Sequence, residues 1–379
     1  MRYLDLPVID AHVHVHTNDD MHKSDKEDLR LATLKRHEEI NDEIFKKTNY
    51  AAINYICTGF SSGYHEDKSG KVNLMDTPVG YYLKDKCPQK IYLFGAFSRE
   101  YHKPEKVSQE YYLQQAKFRY SAGCDGFKSV DGILRTYRDV GARFSDPITD
   151  LYFDYLEKKR IPIMIHMKGP DNAVNDETSG YYVGKDKVDE YKKIIADISD
   201  DVDELLTKFP KLTLVLPHFY FMSHDLDKAE EFMTKWENVY FDLTPNICMY
   251  YDFNKIPDNE MRAFFKRNEN KIIYGTDTFI EEGIGEIPLQ VMCVRDYFEK
   301  ENSELLSSMG IKTLPMDEEF LKKIYYKNFI KIVGEEPRPV NAKLVIEECD
   351  CMLSEYREYL SDKHIVFLNQ IKEHFKNGR

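Results

Sequence analysis

Leu212-Thr213-Leu214-Val215-Leu216-Pro217-His218 is a nearly unbroken apolar run closed by a histidine. Ile161-Pro162-Ile163-Met164-Ile165-His166 repeats the pattern upstream. A run with no polar face suits a strand buried on both sides, as in a parallel sheet covered by helices. Similar short segments lie at 7–14, 50–58, 91–97, 126–130, 239–243 and 271–275. Amphipathic helical patterns fill the gaps, at 28–47, 106–121, 148–159, 188–209, 226–235, 259–267, 289–299 and 318–332. Eight strands, each followed by a helix, predict an α/β fold of the (β/α)8 TIM-barrel type. A doubly wound sheet would need a Gly-rich turn after an early strand, and the sequence has none. The segment Glu335-Glu336-Pro337-Arg338-Pro339-Val340-Asn341 breaks the pattern. The reading is a barrel over residues 1–335 and a C-terminal helical extension over 336–379.

Composition narrows the function. The chain has 379 residues and a net charge of −13. So acidic a protein is a poor general binder of nucleic acid or of anionic membranes. No apolar run reaches the length of a membrane span or a signal-peptide core. Seven scattered cysteines form no disulfide or zinc framework. These features predict a cytoplasmic protein acting on a small molecule, expected to be a homo-oligomer.

The chemistry-bearing residues fall at strand ends. Val8-Ile9-Asp10-Ala11-His12-Val13-His14 ends the first strand, and residues two apart share a face. His12 and His14 can therefore share one divalent cation. His166 and His218 end two later strands, and Asp277 follows Lys271-Ile272-Ile273-Tyr274-Gly275-Thr276. A buried histidine or aspartate in such a run is costly unless paired or metal-bound. In a barrel all five converge on the C-terminal mouth. The expected ligands are His12, His14, His166 and Asp277, with Zn2+ favoured and Mn2+ or Ni2+ as alternatives. Lys128 ends the fourth strand and has three readings: a carbamate bridging two metals, a contact for a substrate carboxylate, or a partner of an acid at the rim. Arg135, Arg138 and Arg143 follow that strand as a candidate anion clamp or a solvated basic patch. Long polar loops at 59–78, 168–187 and 278–288 follow strands and are expected at the mouth.

This set of motifs resembles the amidohydrolase superfamily of metal-dependent TIM-barrel hydrolases and decarboxylases. Val239-Tyr240-Phe241-Asp242-Leu243 and Lys323-Ile324-Tyr325-Tyr326-Lys327-Asn328-Phe329 are similar to the amidohydrolase 2 branch that includes aminocarboxymuconate-semialdehyde decarboxylase. The resemblance covers about residues 6–335 and assigns His12 and His14, His166, His218, Asp277 and Lys128 to strands one, five, six, eight and four. Phe219-Tyr220-Phe221 departs from it, because that branch usually places small residues after the sixth-strand histidine. Bulky aromatics there would narrow the pocket or offer a stacking surface.

The implied activity is hydrolysis of an amide, lactone or ester by a metal-activated water. Asp277 is the expected general base. His218 ligates a second metal or, with one metal, polarises the substrate. Arg135, Lys168 and Phe219 are the candidate substrate contacts. The alternatives are nonoxidative decarboxylation of a small carboxylic acid and, in another class, a non-catalytic metal-binding barrel.

Overall fold

The computed structural model describes residues 3–15, 33–58, 75–97, 106–134, 137–138, 143–170, 172, 174, 177, 183–245, 247–279 and 289–378. The strands are β1 Ile9–His14, β2 Ala52–Ile56, β3 Ile91–Ala96, β4 Gly126–Gly132, β5 Ile163–Met167, β6 Leu214–Leu216, β7 Val239–Asp242, β8 Ile272–Ile273 and β9 Thr278–Phe279. They form one parallel sheet in the order β8-β7-β6-β5-β4-β3-β2-β1-β9. The helices are α1 Leu34–Thr48, α2 Asp76–Lys86, α3 Gln109–Ala122, α4 Asp150–Lys159, α5 Val188–Lys208, α6 Leu226–Lys235 and α7 Ile247–Asn254. They continue as α8 Asp258–Asn268, α9 Leu289–Glu299, α10 Glu304–Ser308, α11 Glu318–Lys322, α12 Asn328–Val333, α13 Ala342–Glu355 and α14 Asp362–Asn377. This is the (β/α)8 barrel that the alternation of strand and helix predicts.

The eighth strand is split. Ile272 and Ile273 pair with β7, whereas Thr278 and Phe279 pair with β1. Between them, the Ala11 N–H donates to the Tyr274 carbonyl at 3.1 Å and the Asp277 N–H to the His12 carbonyl at 2.9 Å. Of the continuous strand expected over 271–275 only Ile272–Ile273 forms, and a second short piece, Thr278–Phe279, lies beyond it where a loop is expected. The helix behind it compensates. Lys323–Lys327 form a π-turn between α11 and α12, and the Ile324 carbonyl accepts the Tyr274 N–H at 2.8 Å. Asn328 Nδ2 donates to the carbonyls of Glu269 and Ile272, each at 2.7 Å.

Two apolar clusters divide the interior. Ile9, Ala11, Tyr92, Phe94, Met164, Val215, Tyr240 and Ile273 fill the barrel, and Phe329 joins them from α12. Val8, Val13, Tyr55, Leu93, Phe127, Ile163, Leu214 and Phe241 pack outward under the helices. Ile9 and Ala11 face in but Val13 faces out, so strict alternation fails in β1. The cause is an extra residue between Asp10 and Val13 in the pairing with β2. Such bulges re-aim side chains beside active sites, and this one turns His12 and His14 to the barrel interior. A second bulge lies in β4 between Ser129 and Gly132.

The expected C-terminal helical stretch is two helices, α13 and α14, with Ser361 capping the second. Their apolar residues, among them Val345, Cys349, Phe367 and Ile371, belong to the same cluster as the outer barrel layer. The Arg338 N–H donates to Asp125 Oδ1 at 2.7 Å, tying the link before α13 to the start of β4. The sequence gives no sign of α7, whose residues Ile247-Cys248-Met249-Tyr250-Tyr251-Asp252-Phe253 are apolar nearly all round. No helix among the described residues is long and apolar enough to cross a membrane.

Candidate metal centre

The split eighth strand and the bulged first strand bring three donors together. His14 Nε2 lies 2.9 Å from Asp277 Oδ1, and His12 Nε2 lies 3.2 Å from the same oxygen. The donor atoms of His12, His14 and Asp277 all fall within 4.8 Å of one another. Side-chain exposure is 1% for His12, 9% for His14 and 27% for Asp277, so the aspartate is the member that reaches the mouth. The other two histidines line up beyond. The His218 ring centroid is 5.8 Å from His12 and 4.7 Å from His166. His166 therefore stands next to His218 and outside the compact group of three.

Burial shapes the titration of every member. It pushes the His14 imidazole down to about 4, and it lowers His166 and His218 as well. Burial would raise the Asp277 carboxyl, but the contacts with His12 and His14 outweigh it and hold it well below the usual carboxylate range. Lys128 is fully buried on β4, and its Nζ has no hydrogen-bond partner among the described residues. Desolvation drops its pKa to about 8, against the pull of Asp242 and Asp277.

The donor set fits a divalent ion. His12 Nδ1 is 2.7 Å from Asp242 Oδ2, so a neutral ring with its proton there turns a bare Nε2 toward the Asp277 carboxylate. Two electron-pair donors facing each other at 3.2 Å call for a cation between them. Imidazole nitrogen and carboxylate oxygen are zinc-type ligands.

Left-handed backbone marks the strand ends. Lys168 has φ 51° and Asp277 φ 60°. After β6, four residues in succession take it: His218 at 55°, Phe219 at 57°, Tyr220 at 51° and Phe221 at 52°. This conformation suits small residues, which is why aromatics there are a departure. The ring facing the histidines is Phe221, with centroids 5.8 Å from His166 and 5.3 Å from His218. Phe219, expected at the substrate, instead packs under the helices against Phe241, Phe253 and Phe264. Lys168 is buried, with Nζ 4.0 Å from the Tyr220 ring centre. Arg138 is exposed and reaches Tyr191 at 3.4 Å. Arg143 pairs with Glu204 at 3.1 Å, with Asp201 3.7 Å away. These contacts, to α5, are those of a surface patch. Arg135 lies outside the described residues, as do most of the three long loops.

Sequence reasoning misses Asp242 and Thr244, and of the three aromatics it expects at the pocket it singles out Phe219, whereas Phe221 is the one that faces the histidines. Asp242 carries the signal that singles out His166 and His218, a polar residue ending an apolar run. Thr244 carries none, because its place depends on where β7 ends, and which of the three aromatics meets the histidines depends on the left-handed turn.

Comparison with known proteins follows the geometry. The family model described as amidohydrolase matches residues 95–334. That span holds Lys128, His166, His218 and Asp277 and leaves out His12 and His14. Among solved structures, the chain is similar to an amidohydrolase II protein at 13% identity, with 86% of this chain and 99% of that one covered and a TM-score of 0.52. An uncharacterised TIM-barrel protein from Bordetella bronchiseptica gives 14% identity, 87% and 99% coverage and a TM-score of 0.51. A 2,6-dihydroxybenzoate decarboxylase from Rhizobium gives 12% identity, 86% and 98% coverage and a TM-score of 0.50. At such identities the likeness shows the fold. No curated protein matches the chain.

Proposed function

The chain belongs to the amidohydrolase family, and from that premise we propose that it is a metal-dependent hydrolase of a small carbonyl substrate, an amide, lactone or ester. The observation that carries this is the meeting of His12 and His14 with Asp277 across the barrel seam. These three residues would hold a divalent ion, with His166, beyond them, as the candidate fourth ligand, and such an ion would supply Lewis acidity and bring the pKa of a bound water to about 7. Zinc is the ion that an imidazole-rich set favours. Asp277, the most exposed of the three, takes the proton of the attacking water and passes it to the leaving group. His218 polarises the carbonyl oxygen, and Phe221 walls the pocket beside it.

A second reading, nonoxidative decarboxylation of a carboxylic acid, is favoured by Lys128. Its buried Nζ has no hydrogen-bond partner among the described residues and suits a substrate carboxylate. Metal analysis of purified protein, followed by activity screens of lactones, amides and aromatic carboxylates with and without chelator, separates the readings. Asp277→Asn then tests the base. An asparagine oxygen can still meet a metal but takes no proton at neutral pH. Its kcat should fall by about 10²–10⁴-fold with metal content largely kept, and near-wild-type turnover would shift the role to His218.

A further inference from the structure

One carboxylate touches both halves of the site. Asp242 ends β7 and is fully buried. Its Oδ2 lies 2.7 Å from His12 Nδ1. Its Oδ1 accepts the backbone N–H of His218 at 2.8 Å and that of Thr244 at 3.1 Å. Thr244 Oγ1 is a second neighbour of His12 Nδ1, at 3.1 Å. The surroundings leave no room for adjustment. A Cβ added to Gly275 would sit 2.8 Å from Thr244 Oγ1, 3.0 Å from His12 Cβ and 3.4 Å from Asp242 Oδ2. Glycine at this position is what lets the eighth strand pass so close to the pair.

We propose that Asp242 is a positioning residue: it fixes His12 with the ring proton on Nδ1, so that bare Nε2 faces Asp277, and it anchors the backbone where the turn at His218 begins. The inference rests on the reading of His12, His14 and Asp277 as an ion-binding group. The physical argument is one of hydrogens. A neutral imidazole carries a single N–H, and an ionised carboxylate offers none. Contact at 2.7 Å between Oδ2 and Nδ1 therefore places the proton on Nδ1. Partners of this kind set both the orientation and the basicity of a ligating histidine, and their loss typically costs 10–100-fold in metal affinity. The second oxygen holds His218 through the main chain. One side chain thus sets the spacing between His12 on β1 and His218 after β6, although 24 residues separate Asp242 from His218 and 230 from His12.

Asp242→Asn reverses the hydrogen logic with little change of shape. The amide oxygen goes on accepting the two backbone N–H groups, so the NH2 falls opposite His12 and offers it a hydrogen. The ring must then carry its own proton on Nε2, aimed at Asp277, where a cation would sit.

The probe is Zn2+. Its dissociation constant is measured on the full chain by competition with a chromophoric chelator. The His12 tautomer is read from two-bond proton–nitrogen spectra of metal-free protein labelled with 15N-histidine, at a pH where the ring is neutral, the signal being assigned by its loss in His12→Gln. Wild type should show the Nδ1–H ring, and Asp242→Asn the Nε2–H ring with zinc affinity lower by about 10–100-fold. Thr244→Val, which keeps the carboxylate, should leave the tautomer unchanged. An Nε2–H ring in wild type, or unaltered zinc affinity in Asp242→Asn, would overturn the proposal. Should Asp242→Asn not fold, the wild-type spectrum decides alone. A wild type that takes up no zinc refutes the ion-binding reading, while the metal-free spectrum still judges Asp242.

Discussion

The turn after β6 makes an unusual demand on stability, and substitution at Phe219 measures it. Four non-glycine residues in succession have φ between 51° and 57°. Each costs about 1–2 kcal/mol against a right-handed conformation. Phe219 offsets part of this through its ring, which has no exposed surface and sits 5.2–6.0 Å, centre to centre, from those of Phe241, Phe253 and Phe264. Phe219→Ala keeps the backbone cost and loses the ring, so it should destabilise by about 3–5 kcal/mol. Phe219→Gly loses the same ring but recovers about 1–2 kcal/mol of backbone cost. Against this stands glycine's extra freedom in the unfolded chain, about 0.5–1 kcal/mol. The glycine variant should therefore be the more stable of the two by about 0.5–1 kcal/mol, the reverse of their usual order in a helix or strand. Urea midpoints at constant m-value, taken in chelator so that ion binding plays no part, give the comparison. An alanine variant as stable as the glycine variant, or more so, would show that the turn is not strained as described.

Other consequences are equally open to measurement. If Lys128 is a carbamate, Lys128→Ala loses one equivalent of metal per chain, and short carboxylates restore part of it; full metal content would make Lys128 a substrate or structural lysine. Lys84 is buried on α2, and its Nζ contacts Asp125 as well as the Gly123 carbonyl at 2.7 Å. Lys84→Met leaves the Asp125 charge without its counter-ion and should cost about 3–5 kcal/mol in chemical denaturation; a loss under 1 kcal/mol would mean the ion pair carries no weight. The forked Arg267–Glu230 pair, at 2.7 and 2.8 Å, holds the Glu230 carboxyl below its ordinary 4.5. A depressed carboxyl contributes stability above its unfolded value that is lost as pH falls through the folded one. Wild type should thus lead Glu230→Gln at pH 7 and converge with it below pH 4.5, and a gap that stays constant with pH would contradict this.

Strand ends that stop on a polar residue were the legible part of the site. His12, His14, His166, His218 and Asp277 each close an apolar run, and burial makes that arrangement costly unless it has a use. Asp242 closes one too, but an acid at a strand end announces neither its partner on β1 nor its grip on the backbone of His218. The split strand is hidden for a different reason. Ile272 and Ile273 face β7 nearby in sequence, whereas Thr278 and Phe279 pair with residues more than 260 positions earlier. The left-handed turn is invisible because Phe219, Tyr220 and Phe221 are strand formers by local preference. Distant rings around Phe219 and Tyr220, together with the hydrogen bond from the His218 N–H to Asp242, hold them otherwise. The Arg138 and Arg143 contacts likewise depend on the placing of α5, which no motif encodes.

Because the eighth strand is divided, the cylinder is zipped shut by pairs such as Val13–Thr278 and His14–Phe279, with Ala11 and Asp277 bonding singly between. Bringing segments some 265 residues apart into register costs chain entropy of about 5 kcal/mol, on the logarithmic law for loop closure. Contacts of such long range form late in folding, and the least cooperative ladder opens at the lowest free energy. Asp277 is mounted on that closure, and His12 stands on its other bank. Fluctuations that part the two banks also part the acid from the imidazoles, so protection of the Ala11 and Asp277 amides against hydrogen exchange reports how often the site itself is assembled.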